Sequence, residues 1–207
     1  MITIVDYNAG NIKSVQRACN EIGVQSQITQ DPEVVLDSER VIFPGVGAAA
    51  SAMETLTKTG LDDALRKAVA KKIPVLGICI GAQIILEKSE ESDVKCLGII
   101  PGATVRFNLN DPSLKIPHMG WNGVKTVQQH PLLDGIVEGD EFYFVHSYFP
   151  QPADPKYVYA VAEYEKEFCC ALGMDNLFAT QFHPEKSGRF GLSLLERFSK
   201  WDGKVNG

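Results

Sequence analysis

Two short stretches carry the side chains best suited to chemistry. In Gly77-Ile78-Cys79-Ile80-Gly81 a cysteine stands between two glycines, at the end of an apolar run over residues 73–78 and directly before a helical pattern over 80–87. G-x-C-x-G at a strand-to-helix turn is the cysteine form of a nucleophile elbow. The glycines let the turn be tight and let neighbouring backbone come close. Such a turn presents Cys79 at the carboxyl end of a sheet, where open α/β folds bind ligands. It also places Cys79 at a helix N-terminus, where the local potential favours thiolate over thiol. The Ile80 N–H then faces a developing oxyanion. A free cysteine is otherwise most often a small buried hydrophobe, and Cys19, Cys96, Cys169 and Cys170, which lack flanking glycines, read that way.

The second stretch is Phe182-His183-Pro184-Glu185. Pro184 biases His183 toward extended backbone, and residues two apart in extended chain face the same way. Glu185 can then hold one ring nitrogen of His183 and leave the other for Cys79, a nucleophile–base–orienter arrangement. The other histidines fit the base role less well. His130 precedes Pro131 in a polar turn and is expected to face solvent, while His118 and His146 have no carboxylate two residues on. No two histidines have ligand spacing and there is no C-x-x-C pair, so neither a metal nor a cofactor is expected.

A third element is Pro44-Gly45-Val46-Gly47, which ends an apolar run over 41–43. A glycine-rich loop there can supply a second oxyanion donor, the Val46 N–H ahead of Gly47. It is too short for a phosphate-binding loop, and no G-K-[ST] follows.

These groups need a scaffold, and the first 90 residues supply a pattern for one. Apolar runs at 2–5, 41–43 and 73–78 and a strand-like alternation at 24–29 are interspersed with helical patterns at 11–21, 61–71 and 80–87, and Asp31-Pro32 opens a short helix. Strand and helix in alternation imply parallel strands with crossover helices. The second half reads mostly as strands, at 103–107, 124–127, 142–145, 157–164, 169–173 and 178–181, with one clear helix over 191–201. The expectation is one α/β domain over residues 1–207: three layers, a mostly parallel central sheet with flanking helices, and an antiparallel section.

With 207 residues the chain fits one ordinary domain. Twenty Lys and Arg against 26 Asp and Glu give a net charge of −6. With no basic run, this is a poor partner for duplex nucleic acid. No apolar stretch approaches the roughly 20 residues of a spanning helix, and the first residues do not read as a signal peptide. Five cysteines without a pairing pattern suggest free thiols in a reducing, cytoplasmic setting.

Taken together, Gly77–Gly81 and His183-Pro184-Glu185 resemble the two signatures of the class I (triad) glutamine amidotransferases. Asp6-Tyr7-Asn8-Ala9-Gly10-Asn11, Pro44-Gly45-Val46-Gly47, Ile116-Pro117-His118-Met119-Gly120-Trp121-Asn122 and Tyr143-Phe144-Val145-His146-Ser147-Tyr148 are similar to the glutaminase subunits of imidazole glycerol phosphate synthases. The likeness covers nearly the whole chain. It departs where Ile80 and Ala82 replace the usual leucine and methionine, and where Asn8 stands in place of glycine.

The resemblance implies that glutamine is hydrolysed to glutamate, and that the ammonia passes to a partner cyclase, a (β/α)8 barrel, that makes imidazole glycerol phosphate. It implies a thioester on Cys79, with His183 as acid and base and Glu185 as its orienter. Gln83, Glu91, His146, Ser147 and Tyr148 would hold the substrate's amino-acid end, and Asn11, Pro117, Met119, Trp121, Tyr143 and Lys186 would face the cyclase. The rival readings are a glutaminase feeding a different synthase, such as the pyridoxal phosphate one, a specialised paralogue feeding ammonia to a sugar amidotransferase, and a catalytically idle scaffold subunit. Residues 117–122 argue against the first and the intact Cys79, His183 and Glu185 against the last, while the second is left to the neighbouring genes to discriminate.

Overall fold

The structure, a computed structural model, describes residues 1–8 and 10–205; Ala9 of the 6–11 segment, Asn206 and Gly207 lie outside the described residues. In chain order the first half runs β1 (Ile2–Val5), α1 (Ile12–Glu21), β2 (Ser26–Thr29), α2 (Pro32–Leu36), β3 (Val41–Gly45), α3 (Ala49–Thr59), α4 (Leu61–Ala70), β4 (Val75–Cys79), α5 (Ile80–Ile84), β5 (Lys88–Ser89) and β6 (Val94–Lys95). The second half runs β7 (Gly102–Arg106), β8 (His118–Gly123), β9 (Lys125–Thr126), β10 (Glu141–His146), β11 (Tyr148–Pro152), β12 (Val158–Tyr164), β13 (Lys166–Met174), β14 (Leu177–Thr180) and α6 (Gly188–Lys200), with short 3₁₀ turns between some of them.

The main sheet has the order β2-β1-β3-β4-β14-β13-β12-β9. Pairing is parallel from β2 to β14 and antiparallel beyond. The β3 and β4 runs are buried along their whole length, as strands covered on both faces must be. Side-chain alternation divides the core. Ile4, Ile42, Leu76 and Phe178 pack with Val15, Leu194 and Phe198 of α1 and α6. Val5, Val41, Phe43 and Val75 pack with Leu56, Leu61 and Leu65 of α3 and α4. The layers are therefore helix, sheet, helix, as expected. An antiparallel two-stranded ribbon (β10-β8) and a small mixed sheet (β11-β7-β5-β6, parallel between β7 and β5) form the additions.

Several boundaries differ from the sequence pattern. Residues 49–59, whose small side chains carry no clear periodic signal, form α3, burying Ala49, Ala52, Met53 and Leu56 at helical spacing and ending at Gly60 in the left-handed region (φ 74°). The helix read over 80–87 stops at Ile84, because the following carbonyls bond elsewhere: Ile85 O accepts from Ile99 N and Leu86 O from Gly98 N. Residues 118–123 become β8 despite two glycines, by pairing with β10 in the register Tyr143↔Trp121 and Val145↔Met119.

Candidate active site

Neighbouring strands β3, β4 and β14 end side by side, and the loops after them build the site. Gly45 pairs with Cys79 across β3 and β4, and Thr180 pairs with Ile78 across β14 and β4. Cys79 takes φ 55° and ψ −102°, a conformation that L-residues rarely adopt. The surroundings enforce it. A Cβ at Gly81 would lie 2.2 Å from the Phe43 carbonyl oxygen, so only glycine lets α5 sit so close to β3. A Cβ at Gly45 would lie 1.7 Å from the Tyr7 hydroxyl, which occupies that space. Asn8, in the segment before α1, has φ 65°, a left-handed position that asparagine tolerates.

Cys79 is 5% exposed and lines a cleft of about 370 Å³. Val46 and Gly47 border the same cleft, as does Ile80, so both expected oxyanion donors belong to residues on its wall.

His183 follows β14 and is fully buried. Its N–H donates to Tyr143 O at 2.9 Å, and Ser187 Oγ donates to its carbonyl at 2.6 Å, which pins the turn that carries it. Ring atom Nδ1 lies 2.7 Å from Glu185 Oε1, while Nε2 has no hydrogen-bond partner among the described residues. Burial opposes a charge on this ring. The Cys79 sulfur, followed by Glu185, more than offsets burial and pushes the His183 pKa up to about 10. The arrangement can thus hold a proton on His183 at neutral pH, ready for a leaving group.

Asn11 is 6% exposed, with its Nδ2 donating to Glu185 Oε1. It thus lies against Glu185, the carboxylate that meets His183 Nδ1. Gln181, not singled out in the sequence, is buried with Nε2 3.7 Å from Cys79 Sγ. Its position two residues before His183 in extended chain is the signal that could have found it.

The cleft gathers Gln83, Glu91, His146, Ser147 and Tyr148, and Pro117 lies at its edge. Not all of their polar atoms are free. Gln83 Nε2 donates to Tyr148 O and Gln181 Oε1, and one Glu91 oxygen accepts from Ala49 N at 2.7 Å. His146 meets Tyr148 O with Nδ1 and His118 Nδ1 with Nε2, so its ring has no nitrogen left for a ligand.

Met119 and Trp121 stand on the outer face of β8, 62% and 53% exposed. Trp121 meets Tyr143 edge-on at 6.1 Å, and Lys186 Nζ lies 5.7 Å from the Tyr143 ring. These side chains, with Pro117, form one exposed face beside the cleft.

His130 overturns its expectation. It is 2% exposed and stacks on Phe178 at 4.2 Å, with Tyr159 and Trp201 edge-on around it. Its Nδ1 caps the following turn by accepting from Leu132 N. The polar flank hid a ring that the aromatic core encloses, and burial pulls its pKa down to about 3. All five cysteines are free and buried. No described helix is long and apolar enough to cross a membrane.

Comparison with known proteins agrees with this geometry. The family model "Glutamine amidotransferase class-I" matches residues 3–200. The imidazole glycerol phosphate synthase subunit HisH of Nitratidesulfovibrio vulgaris (strain DP4) is 50% identical, covering 97% of this chain and 96% of its own. The subunit of the same name from Dehalococcoides mccartyi (strain ATCC BAA-2266 / KCTC 15142 / 195) is 47% identical, covering 97% of each. Among solved structures, a glutamine amidotransferase superposes with TM-score 0.74 at 16% identity, over 96% of this chain and 99% of that one. PurLQS from Thermotoga maritima superposes with TM-score 0.71 at 17% identity, over 95% and 96%. Both show a shared fold. The chain belongs to the class-I glutamine amidotransferases and, within them, to the family of imidazole glycerol phosphate synthase HisH subunits.

Proposed function

We propose that the chain, as one domain over residues 1–207, hydrolyses glutamine to glutamate and hands the ammonia to a partner cyclase, a (β/α)8 barrel that makes imidazole glycerol phosphate in histidine biosynthesis. The Cys79 thiolate attacks the side-chain amide carbon. The oxyanion forms against the N–H groups of Ile80 and Val46 in the loop that continues through Gly47. His183 protonates the departing nitrogen, which leaves as ammonia and a Cys79 thioester. His183 then takes a proton from water, whose oxygen displaces the sulfur and releases glutamate. Glu185 holds His183 in the required tautomer throughout.

Gln83, Glu91 and the 146–148 segment receive the amino-acid end. A Glu91 oxygen suits the α-ammonium, and the Ser147 side chain and backbone serve in place of the committed His146 ring. Ammonia released to water protonates and stops being a nucleophile, so transfer needs a covered, dry interface. The exposed face of Pro117, Met119, Trp121, Tyr143 and Lys186 is the one we assign to the cyclase.

The observation that carries this reading is His183, held by Glu185 at 2.7 Å through Nδ1 while Nε2 is left for the cleft cysteine. The test is to mix the chain with its candidate cyclase and follow glutamate release with and without the cyclase's nucleotide substrate. The reading requires release that rises with that substrate. No release under either condition overturns it.

A further inference from the structure

The cleft cysteine has a neighbour that the triad leaves unused, and a chain of forced hydrogen-bond assignments fixes what that neighbour presents. The Tyr148 carbonyl can only accept. His146 Nδ1, 2.8 Å from it, must therefore carry the proton, and Gln83 must turn its nitrogen toward it, at 2.9 Å. A neutral His146 then accepts at Nε2 from His118 Nδ1 at 3.1 Å, and His118 Nε2 accepts from Asn122 Nδ2 at 3.3 Å. The remaining Gln83 hydrogen points at Gln181, 3.1 Å away, so Gln181 must offer its oxygen there. Its nitrogen is left facing Cys79 Sγ at 3.7 Å. Both glutamines are buried.

We infer that Gln181 is a further catalytic residue, whose Nε2–H donates to the Cys79 sulfur and stabilises the thiolate, with Gln83 holding the amide in that orientation. The inference rests on the glutaminase reading for its purpose. A donor aimed at sulfur favours the charged form, and the amide is pre-organised because its oxygen is already engaged. The ionisable groups facing Cys79 are His183 from the end of β14, Tyr7 after β1, and Glu91 and His146 on the cleft wall. Of these, only His183 brings a positive charge, and Gln181 adds a neutral donor from a second direction.

The test is the pH dependence of iodoacetamide alkylation of Cys79 in the full chain, read at that peptide by mass spectrometry. In Gln181→Leu and Gln181→Met, folded by their thermal melts, the midpoint should rise by about one pH unit. A lost packing contact alone would not move it. An unchanged midpoint in either folded variant overturns the assignment. Should neither variant fold, the unmodified chain decides: the Gln181 side-chain amide resonances must titrate with the alkylation midpoint, and pH-independent resonances refute the proposal. Failure of the glutaminase reading is distinguishable, since it appears as absent glutamate release whatever the alkylation profile does.

Discussion

Asn11 stands at the N-cap position of α1 yet makes no side-chain cap; its amide nitrogen goes instead to Glu185 Oε1. The start of α1 is thus tied across 174 positions of sequence to the carboxylate that meets His183 Nδ1. Asn11 also lies 3.3 Å from His183 Nδ1, but that nitrogen needs its proton for Glu185, so the amide serves the carboxylate.

Removing that bond should cost both catalysis and stability. Hydrogen bonds to charged groups contribute about 1.5–3 kcal/mol, so Asn11→Ala should lower glutamine turnover in the complex by about ten- to a hundredfold. The thermal melt should also fall by several degrees, so turnover is compared at a temperature where both proteins are folded. Unchanged turnover would show that Glu185 is positioned without Asn11.

The raised pKa of His183 gives a signed prediction for alkaline stability. A group whose pKa is raised on folding stabilises fully below its ordinary value of 6.5, and that contribution fades as pH climbs to about 10. Cys79 is the largest favourable influence on the ring, so Cys79→Ala should lower the His183 midpoint, read by imidazole NMR. It should also flatten the loss of unfolding free energy between neutral pH and pH near 10. A midpoint that stays high would assign the shift to Glu185 alone.

Acid should act in the opposite sense through the other histidines. Burial pulls His118 down to about 4, and His130 and His146 to about 3. Their neutral forms stabilise the fold above pH 6.5, and that stability is lost as pH falls toward those values. Each adds a slope of up to about 1.4 kcal/mol per pH unit across that window. His130→Asn keeps a capping acceptor and should show a shallower acid slope in urea unfolding, although its total stability will be lower for the lost stacking. An identical slope would contradict the burial argument.

The exposed face is tested by Trp121→Ala. Its ring is half in solvent and touches Tyr143, so the isolated chain should melt unchanged. A central aromatic at an interface is typically worth 2 kcal/mol or more, so cyclase affinity should fall by roughly thirtyfold. Unaltered binding would place the interface elsewhere.

What the sequence made legible follows from locality. Gly77–Gly81 and His183–Glu185 are short motifs whose geometry is set within a few residues, and the alternation over residues 1–80 dictates the parallel sheet that brings them together. Contacts between distant segments were not legible. The bond from Asn11 to Glu185 emerges only once α1 is seen beside the turn at 184–186, and Gln181 reads as one more strand residue until its amide is seen against Cys79. His130 looked solvated because Gln128 and Gln129 precede it, yet the aromatic cluster of Tyr159, Phe178 and Trp201 closes over it. Residues 49–59 carry mostly small side chains, whose helical stripe emerges only where it packs against the sheet and Glu91 receives the Ala49 N–H. β8 owes its strand to β10, since Gly120, Asn122 and Gly123 have little strand preference of their own.

The most direct test of the central claim is Cys79→Ala in the complex with the cyclase, assayed for product from glutamine and, separately, from added ammonium salt. The account predicts that synthesis from glutamine is lost while synthesis from ammonium persists at the unmodified rate. Persistence of the glutamine-dependent reaction, or loss of both, would contradict it.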